Sequence, residues 1–176
     1  MLKKIAIVVA AVIVVFIAAV AMQPANFLVT RSATINAQED KVFGMINDFH
    51  QWEAWSPWAK LDPAMKTTYE GAPAGNGAIY KWNGNDQVGE GMMTILESQS
   101  PNLVRIKLDF LKPFPSSNTT EFLLKPDGRG TNVSWTMSGT NNFMSKAFLM
   151  FMGGMDGAVG KDFEKGLAQM KAAAEK

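Results

Sequence analysis

The sequence predicts an α+β fold in which a curved antiparallel sheet of about seven strands wraps around a long C-terminal helix. Three observations support this prediction. Short segments rich in β-branched residues alternate with turn signals between residues 65 and 139, as in an antiparallel sheet. Two short helical segments follow an isolated first strand, and an amphipathic helical pattern closes the chain. An apolar run at the N-terminus adds a predicted transmembrane helix.

Composition and charge exclude several classes of protein. The 176 residues are 47% hydrophobic and 19% charged, with a formal net charge of +1. The chain is therefore not disordered, and it carries no basic excess that would attract nucleic acid. It has no cysteine, which excludes disulfides, thiolate nucleophiles and cysteine-ligated metals. Its twelve methionines suit irregular or adaptable apolar surfaces.

The apolar run from Ile5 to Met22 follows Lys3 and Lys4. As a helix it spans about 27 Å at about 1.5 Å per residue, close to the roughly 30 Å of a hydrocarbon core. A cleaved signal peptide is the alternative, because residues 19–21 have the A-x-A form. The run is longer than the usual signal-peptide core of about 7–15 residues, so we expect a retained anchor.

The charges around this run predict its orientation. Positive residues precede it and Gln23–Thr30 carries none, so the positive-inside rule puts the rest of the chain on the exported, periplasmic side. We expect a membrane anchor over residues 1–22, a linker over 23–26 and one domain over 27–176. The chain would then be a single-pass protein of the cell membrane, whereas signal cleavage would give a secreted one.

The first strand and two short helices follow the linker. The strand is predicted at Phe27–Ile35, where β-branched residues are frequent. Asn36 and Glu39 stand three residues apart as in a capping box, which predicts the start of a helix there. A second short helix is expected over Phe49–Trp55, because the residue before Pro57 avoids helical backbone.

Six further strands are predicted between turns that contain Gly, Asn and Pro. They cover residues 65–70, 78–82, 90–98, 103–110, 118–125 and 131–138. Alternation assigns their faces, since Val104 and Ile106 point to one side while Arg105, Lys107 and Glu121 point to the other. We therefore expect one buried and one wet face, with no catalytic charge on the buried face.

A methionine- and phenylalanine-rich segment lies between the last strand and the final helix. It has too many large apolar side chains for one narrow buried stripe, and a Gly-Gly pair ends it. Three interpretations stay open. Phe148, Phe151 and Met152 could gate an apolar cavity, the segment could enter the nearby bilayer, or it could be a short core helix. The final helix carries Val159, Phe163 and Leu167 on one face.

Particular segments, in this order, resemble the SRPBCC superfamily, whose members are also described as START-like, Bet v1-like or helix-grip proteins. The resembling segments are RSATINAQEDKVFGMINDFHQWEAWSPW, GAIYKWNGNDQVGEGMMTILES, TNVSWTMSG and DFEKGLAQMK. Within the superfamily the chain is similar to the polyketide cyclase/dehydrase and lipid-transport branch found in many bacteria. The resemblance covers Arg31 to Lys171 and implies a helix-grip fold with a cavity for a hydrophobic ligand. The superfamily has no fixed catalytic set, so no catalytic residue is assigned.

The cavity would lie between the sheet and the final helix. Trp52 and Trp55 are expected to plug the junction of helix and sheet, with Trp58 at the cavity rim. Polar tips on Tyr80, Trp82 and Trp135 could orient a polar head group. The predicted cavity residues are Trp55, Trp58, Tyr80, Trp82, Met93, Ile95, Ile106, Leu108, Phe122, Trp135, Met137, Phe163 and Leu167.

No metal, cofactor or catalytic site is indicated. His50 is the only histidine, no G-x-S-x-G elbow is present, and the acidic residues are not grouped at ligand spacing. Glycine-rich stretches at 71–78 and 88–93 match neither the Walker A nor the dinucleotide pattern. We expect His50 to be a partly exposed turn residue, and we expect no cofactor.

The sequence therefore favours a membrane-anchored protein that binds, with or without transport, a lipid or other hydrophobic small molecule. Two alternatives stay open. One is a polyketide cyclase- or hydratase-like enzyme, with Tyr80, His50 or an inward carboxylate as acid or base. The other is an envelope protein-interaction module that uses the tryptophan-rich stretch (Phe49–Lys60) or the methionine-rich segment (Phe143–Met155) for docking. No nucleic-acid partner is expected.

Overall fold

The order of helices and strands in the computed structural model, which describes residues 1–176, agrees with the predicted α+β class. The first half of the chain forms α1 (Leu2–Met22), β1 (Asn26–Ile35), α2 (Glu39–Asn47), a 3₁₀ helix (Phe49–Ala54), β2 (Lys66–Gly71) and β3 (Ala78–Asn83). The second half forms β4 (Glu90–Gln99), β5 (Leu103–Lys112), β6 (Ser116–Asp127), β7 (Gly130–Thr140), α3 (Phe143–Met150) and α4 (Gly154–Ala174).

All seven strands form one antiparallel sheet in the order β1-β7-β6-β5-β4-β3-β2. The predicted sheet and its long C-terminal helix are thereby confirmed. Helix α4 packs against β1 and against the buried face of the sheet, where Phe163 stacks on Trp135. Because all neighbouring strands are antiparallel, β1 begins at the same end of the sheet at which β3, β5 and β7 end. We call this end the α1 end of the sheet, since α1 leads directly into β1.

The two faces of the sheet differ as the alternation predicts. Val104 and Ile106 are fully buried. Arg105, between them, lies on the outer face, where it pairs with Glu97 and, through Nε, with Glu121 Oε2 at 2.9 Å. The buried face is thus apolar along the strands, and the outer face carries the ion pairs.

Helix α2 begins by a different means from the predicted capping box. Its N-cap is Gln38, whose side chain makes no capping hydrogen bond. The backbone N–H of Asn36 instead donates to Glu175 Oε1 at 2.8 Å, and Glu39 Oε1 has no partner. A tertiary contact with the end of α4 replaces the local cap, so the capping-box prediction is wrong.

The tryptophan-rich stretch forms a 3₁₀ helix that closes the end of α2. The indole N–H groups of Trp52 and Trp55 donate to the carbonyls of Ile46 and Met45, each at 2.9 Å. These carbonyls lie in the last turn of α2, where no intrahelical donor is available. Both indoles also meet the ring of Phe122 edge-on, with centroids 5.9 Å apart. The two tryptophans therefore cap α2 and fasten it to the sheet.

Arg31 on β1 fixes α4 across the sheet edge. Its guanidinium binds Asp156 through two hydrogen bonds of 2.8 and 3.1 Å, and its Nε donates to Glu164 at 2.7 Å. Gly160 lies between these carboxylates on the same helix face, and a β-carbon there would overlap the guanidinium. Hydrogen bonds from Arg31 lower the pKa of Asp156 below its ordinary value. The absence of a side chain at Gly160 thus lets Arg31 lie along α4.

Helix α3 lies on the surface beside α1 rather than in the core. Of its side chains only Leu149 is buried. Val20 is fully buried at the end of α1 that meets α3, and Phe16 stacks on Phe151 with centroids 6.3 Å apart. The interpretation of this segment as a short core helix is therefore wrong.

Candidate ligand cavity

A partly enclosed cavity of about 650 Å³ lies between the buried face of the sheet and the N-terminal half of α4. Strands β2 to β7 form one wall, and the 3₁₀ helix, residues 56–65 and the first turns of α4 form the others. Of its 26 lining residues 17 are hydrophobic, so the wall is mainly apolar. The fold therefore leaves a real gap where the alternation pattern alone would allow a filled core.

The cavity lies toward the α1 end of the sheet. Gln87 and Val88 of the β3–β4 hairpin line it, as do Met65 just before β2 and Phe110 near the end of β5. None of its lining residues belongs to the turns 72–77, 100–102 or 128–129 at the opposite end. Any ligand held here would thus be nearer to α1 than to the far end of the domain.

The predicted cavity residues divide into two groups. Eight lie on the wall, namely Trp58, Tyr80, Trp82, Met93, Leu108, Trp135, Met137 and Phe163. The other five lie in the closed core away from the wall, namely Trp55, Ile95, Ile106, Phe122 and Leu167. Met93 pairs with Leu108 on the wall, whereas Ile95 pairs with Ile106 one step farther from the α1 end. Alternation identifies the inward face but not the point where the gap closes.

The segment 56–65 supplies wall residues that periodicity did not identify. Asp62 is buried and organises this segment, because its Oδ1 accepts the N–H of Ala64 at 2.9 Å. Its Oδ2 accepts the N–H of Asn85 at 2.7 Å, which joins the segment to the β3–β4 hairpin. The Asp62-Pro63 dipeptide signals a turn in the sequence, but it does not reveal this tertiary partner.

Charged side chains reach the cavity from outside the strands. Glu53 comes from the 3₁₀ helix, Lys60 and Asp62 from the loop after it, and Asp162 from α4. No strand charge lines the cavity, as the alternation predicts, and its charged residues come from elements that the alternation did not consider. The wall is therefore mainly apolar and includes four charged residues.

Two of the predicted polar tips are engaged within the protein. The Trp82 indole N–H donates to the carbonyl of Val88 at 2.9 Å, and the Trp135 indole N–H donates to Thr120 Oγ1 at 2.9 Å. The Thr120 hydroxyl in turn donates a hydrogen bond to the carbonyl of Thr136 at 2.9 Å. These groups shape the cavity and are not free to bind a head group.

Tyr80 carries a hydroxyl on the wall that makes no hydrogen bond within the protein. Burial, followed by the proximity of Tyr69 and Glu53, raises the pKa of Tyr80 to about 12. The Tyr69 ring lies 5.4 Å from that of Tyr80, and burial followed by Glu53 raises its pKa as well. Both phenols stay protonated at neutral pH, so Tyr80 offers a hydrogen-bond donor to a ligand in the cavity.

His50 lies outside the cavity wall. Its Nδ1 is 2.8 Å from Asp48 Oδ1, and its ring stacks on Tyr69 with centroids 4.1 Å apart. Burial alone would raise the pKa of Asp48, but hydrogen bonds from the backbone and ring of His50 lower it. About half of the His50 side chain, 52%, is exposed. His50 is therefore a half-exposed residue of the 3₁₀ helix, rather than of a turn, and it supports Tyr69 from outside the cavity.

The predicted gate residues do not line the cavity. Phe148, Phe151 and Met152 are exposed on α3 and the turn after it, on the side of the molecule that meets α1. Strand-based reasoning could not place them, because they lie outside the sheet. No group of three or more His, Asp and Glu side chains is arranged to hold a metal ion.

Three solved bacterial structures show the same fold. Protein CV1439 from Chromobacterium violaceum has a TM-score of 0.62 and 14% identity, over 85% of this chain and 97% of that one. The Aha1 dimer from Colwellia psychrerythraea has a TM-score of 0.60 and 15% identity, over 85% and 96%. Protein MLL2253 from Mesorhizobium loti has a TM-score of 0.60 and 15% identity, over 83% and 95%. No curated protein sequence matches the chain.

The sequence itself identifies the family. Residues 26–175 match the family described as polyketide cyclase / dehydrase and lipid transport, which includes the whole sheet, α3, α4 and the cavity. The helix-grip architecture expected from the resemblance is present, with the gap between sheet and C-terminal helix. The chain therefore belongs to the polyketide cyclase/dehydrase and lipid transport family, of the SRPBCC type.

Proposed function

We propose that the protein is a membrane-anchored binding protein for a lipid or another hydrophobic small molecule. The observation that carries this proposal is the cavity of about 650 Å³, which has a mainly apolar wall. Its volume lies within the range of about 300–1,000 Å³ that is typical of small-molecule sites. The family description, which includes lipid transport, supports the same ligand class.

The polar groups of the cavity suit an amphiphile better than a pure hydrocarbon. Tyr80 offers a free hydroxyl on the wall, and Lys60 and Asp162 lie among the lining residues. A ligand with an apolar body and an oxygen-containing head would fill the aromatic part of the cavity and accept a hydrogen bond from Tyr80.

The anchor is helix α1. Leu2–Met22 is the one helix of the structure that is long and apolar enough to cross a membrane, and 6% of its apolar stretch is buried. Lys3 and Lys4 precede the apolar part, so the proposed orientation keeps the N-terminus in the cytoplasm and the cavity on the exported side. A cleaved signal sequence would share this helix and remains the competing proposal.

Native mass spectrometry of the full-length chain, purified from membranes in mild detergent, tests the binding function. We expect a bound lipid-sized species on the wild type and its loss in Ala158→Phe, because Ala158 lines the cavity. Ala168→Phe is the matched control, since Ala168 is exposed on the same helix. An equal ligand content in the two variants, or an empty wild type, would contradict the proposal.

Catalysis is a second candidate that one observation favours. Glu53, Tyr69 and Tyr80 meet on the cavity wall, and Glu53 contributes to the raised pKa of both tyrosines. A carboxylate beside phenolic donors can serve as base and acid in a cyclase- or hydratase-like reaction. If the protein turns over a polyketide-like substrate, Glu53→Gln abolishes product formation and leaves substrate binding intact. Unchanged turnover in that variant excludes this arrangement.

A protein-interaction function has weaker support. It would combine an exposed apolar patch with a filled core, whereas the core of this domain contains the cavity. The exposed apolar side chains of α3 do form a patch, and their position suggests a different partner.

A further inference from the structure

Two contacts fix helix α3 alongside the end of α1. The Lys146 ammonium donates to the carbonyl of Ala21 at 3.0 Å, and five residues later Phe151 stacks on Phe16. Ala21 and Phe16 are also five residues apart, in the reverse order. Helix α3 therefore runs antiparallel to α1, and its C-terminal end lies beside a residue well inside the apolar helix.

The depth of this contact follows from helix geometry. Phe16 precedes Met22, the last residue of α1, by six residues, which corresponds to about 9 Å along the helix. Amphipathic helices at a membrane surface bury their apolar face by about 5–10 Å. If α1 spans the bilayer, the end of α3 reaches the depth of an interfacial helix.

The surface of α3 has the composition that this depth requires. The α3 patch comprises the exposed residues Phe143, Met144, Phe148, Phe151 and Met152, and the ring of Phe114 in the β5–β6 connection lies 5.8 Å from that of Phe148. Lys146 is the only charged residue between positions 142 and 155, and its ammonium is directed to the end of α1. An apolar patch of this kind is unfavourable in water and favourable among acyl chains.

We infer that the α3 patch is a membrane-docking surface, embedded in the outer part of the bilayer that α1 spans. The inference rests on the proposed function, because it takes α1 as a retained anchor. The partner is the lipid surface itself, and the choice follows from the continuity of the patch with the apolar surface of α1.

The cavity lies close to the α3 patch. The cavity lies at the α1 end of the sheet, and its wall includes Ala158 and Val159, only four and five residues after Gly154 at the start of α4. Gly153 and Gly154 both have positive φ, of 78° and 79°, and they turn the chain from α3 into α4. Docking through α3 therefore holds the cavity next to the membrane, where lipid is available for loading.

Site-directed spin labelling of the full-length chain in nanodiscs of phosphatidylethanolamine and phosphatidylglycerol tests the inference. The protein has no cysteine, so each variant carries a single label. The labelled variants are Val12→Cys in α1, Met152→Cys and Met144→Cys in the α3 patch, and Arg129→Cys at the far end of the sheet. Accessibility to oxygen and to a water-soluble nickel chelate reports the depth of each label.

The expected result is a graded loss of nickel access. The label at Val12 should be the most protected, followed by Met152 and then Met144, while Arg129 keeps full access. If the label at Met152 is as accessible to nickel as that at Arg129 while Val12 is protected, α3 does not dock on the membrane although α1 spans it. If the label at Val12 is also accessible, both the docking of α3 and the anchoring by α1 are overturned. Ligand content in the Ala158→Phe comparison tests the cavity separately from either result.

Discussion

Trp52 offers the sharpest test of how the tryptophan-rich stretch works, and the test is its replacement by alanine. The indole is 6% exposed and lies 4.5 Å from the ring of Trp55 and 5.9 Å from that of Phe122. Removing it leaves a large cavity, for which tryptophan-to-alanine changes cost about 3–5 kcal/mol of unfolding free energy. It also leaves the carbonyl of Ile46 without its donor, which adds about 1 kcal/mol.

The assay is equilibrium urea unfolding of the full-length chain in nanodiscs, followed by far-UV circular dichroism. With a slope of about 2 kcal/mol per molar urea, a loss of 4 kcal/mol lowers the midpoint by about 2 M. Trp52→Phe is the informative partner, because it keeps most of the packing and removes the N–H donor; we expect a loss of about 1–2 kcal/mol. Trp58→Ala is the matched control, since Trp58 is only partly buried, and should cost about 0.5–3 kcal/mol.

Two results would refute this reasoning. If Trp52→Ala costs less than about 1.5 kcal/mol, the site has collapsed around the missing ring and the packing role is wrong. If Trp52→Phe is as damaging as Trp52→Ala, the hydrogen bond to α2, rather than the packing, accounts for the stability.

The remaining predictions concern three polar residues of the cavity. The pKa of Tyr80 is raised from 10.0 to about 12, so its contribution to the unfolding free energy should be complete below about pH 10 and lost as pH rises toward 12. Urea titrations at alkaline pH should show a smaller loss of unfolding free energy in Tyr80→Phe than in the wild type. Thr120→Val should cost about 1–3 kcal/mol in thermal unfolding, because the buried Trp135 N–H loses its acceptor; no loss would show that another group accepts it. Asp62→Ala should free residues 56–65 from Asn85, measured as faster amide hydrogen exchange over both segments, whereas exchange unchanged there would deny Asp62 this role.

The strand pattern predicted much of the fold because alternation is a local property. Val104, Arg105 and Ile106 took their predicted faces, since one slip of register would bury a charge. The start of α2 at Glu39 and the hydrogen-bond partner of Asn36 were not predictable in this way. The N–H of Asn36 is satisfied by Glu175, more than a hundred residues later, and no local rule anticipates such a partner.

The site was predictable only in part for the same reason. Inward alternation placed Met93 and Leu108 on the cavity wall, but it could not separate them from Ile95 and Ile106, which share the face and lie where the core closes. Asp62 and its neighbours lie in a loop with no period, so their place depends on tertiary hydrogen bonds. The extent of the cavity depends on the helices and the loop that pack against the sheet, and the strand sequences alone do not specify that packing.

The ion pairs between Arg31 and α4 affect which side of the cavity could open to let a ligand enter or leave. Asp156 and Glu164 are eight residues apart, so one guanidinium binds α4 through two residues whose backbone positions are about 12 Å apart along the helix. A helix held at two points cannot swing about either one, and the side of the cavity that α4 forms is stiff. The side that can yield is the loop 56–65, attached to the hairpin through the single carboxylate of Asp62. Ligand residence time would then be set by the lifetime of the one backbone hydrogen bond, from Asn85 to Asp62, that joins this loop to the hairpin.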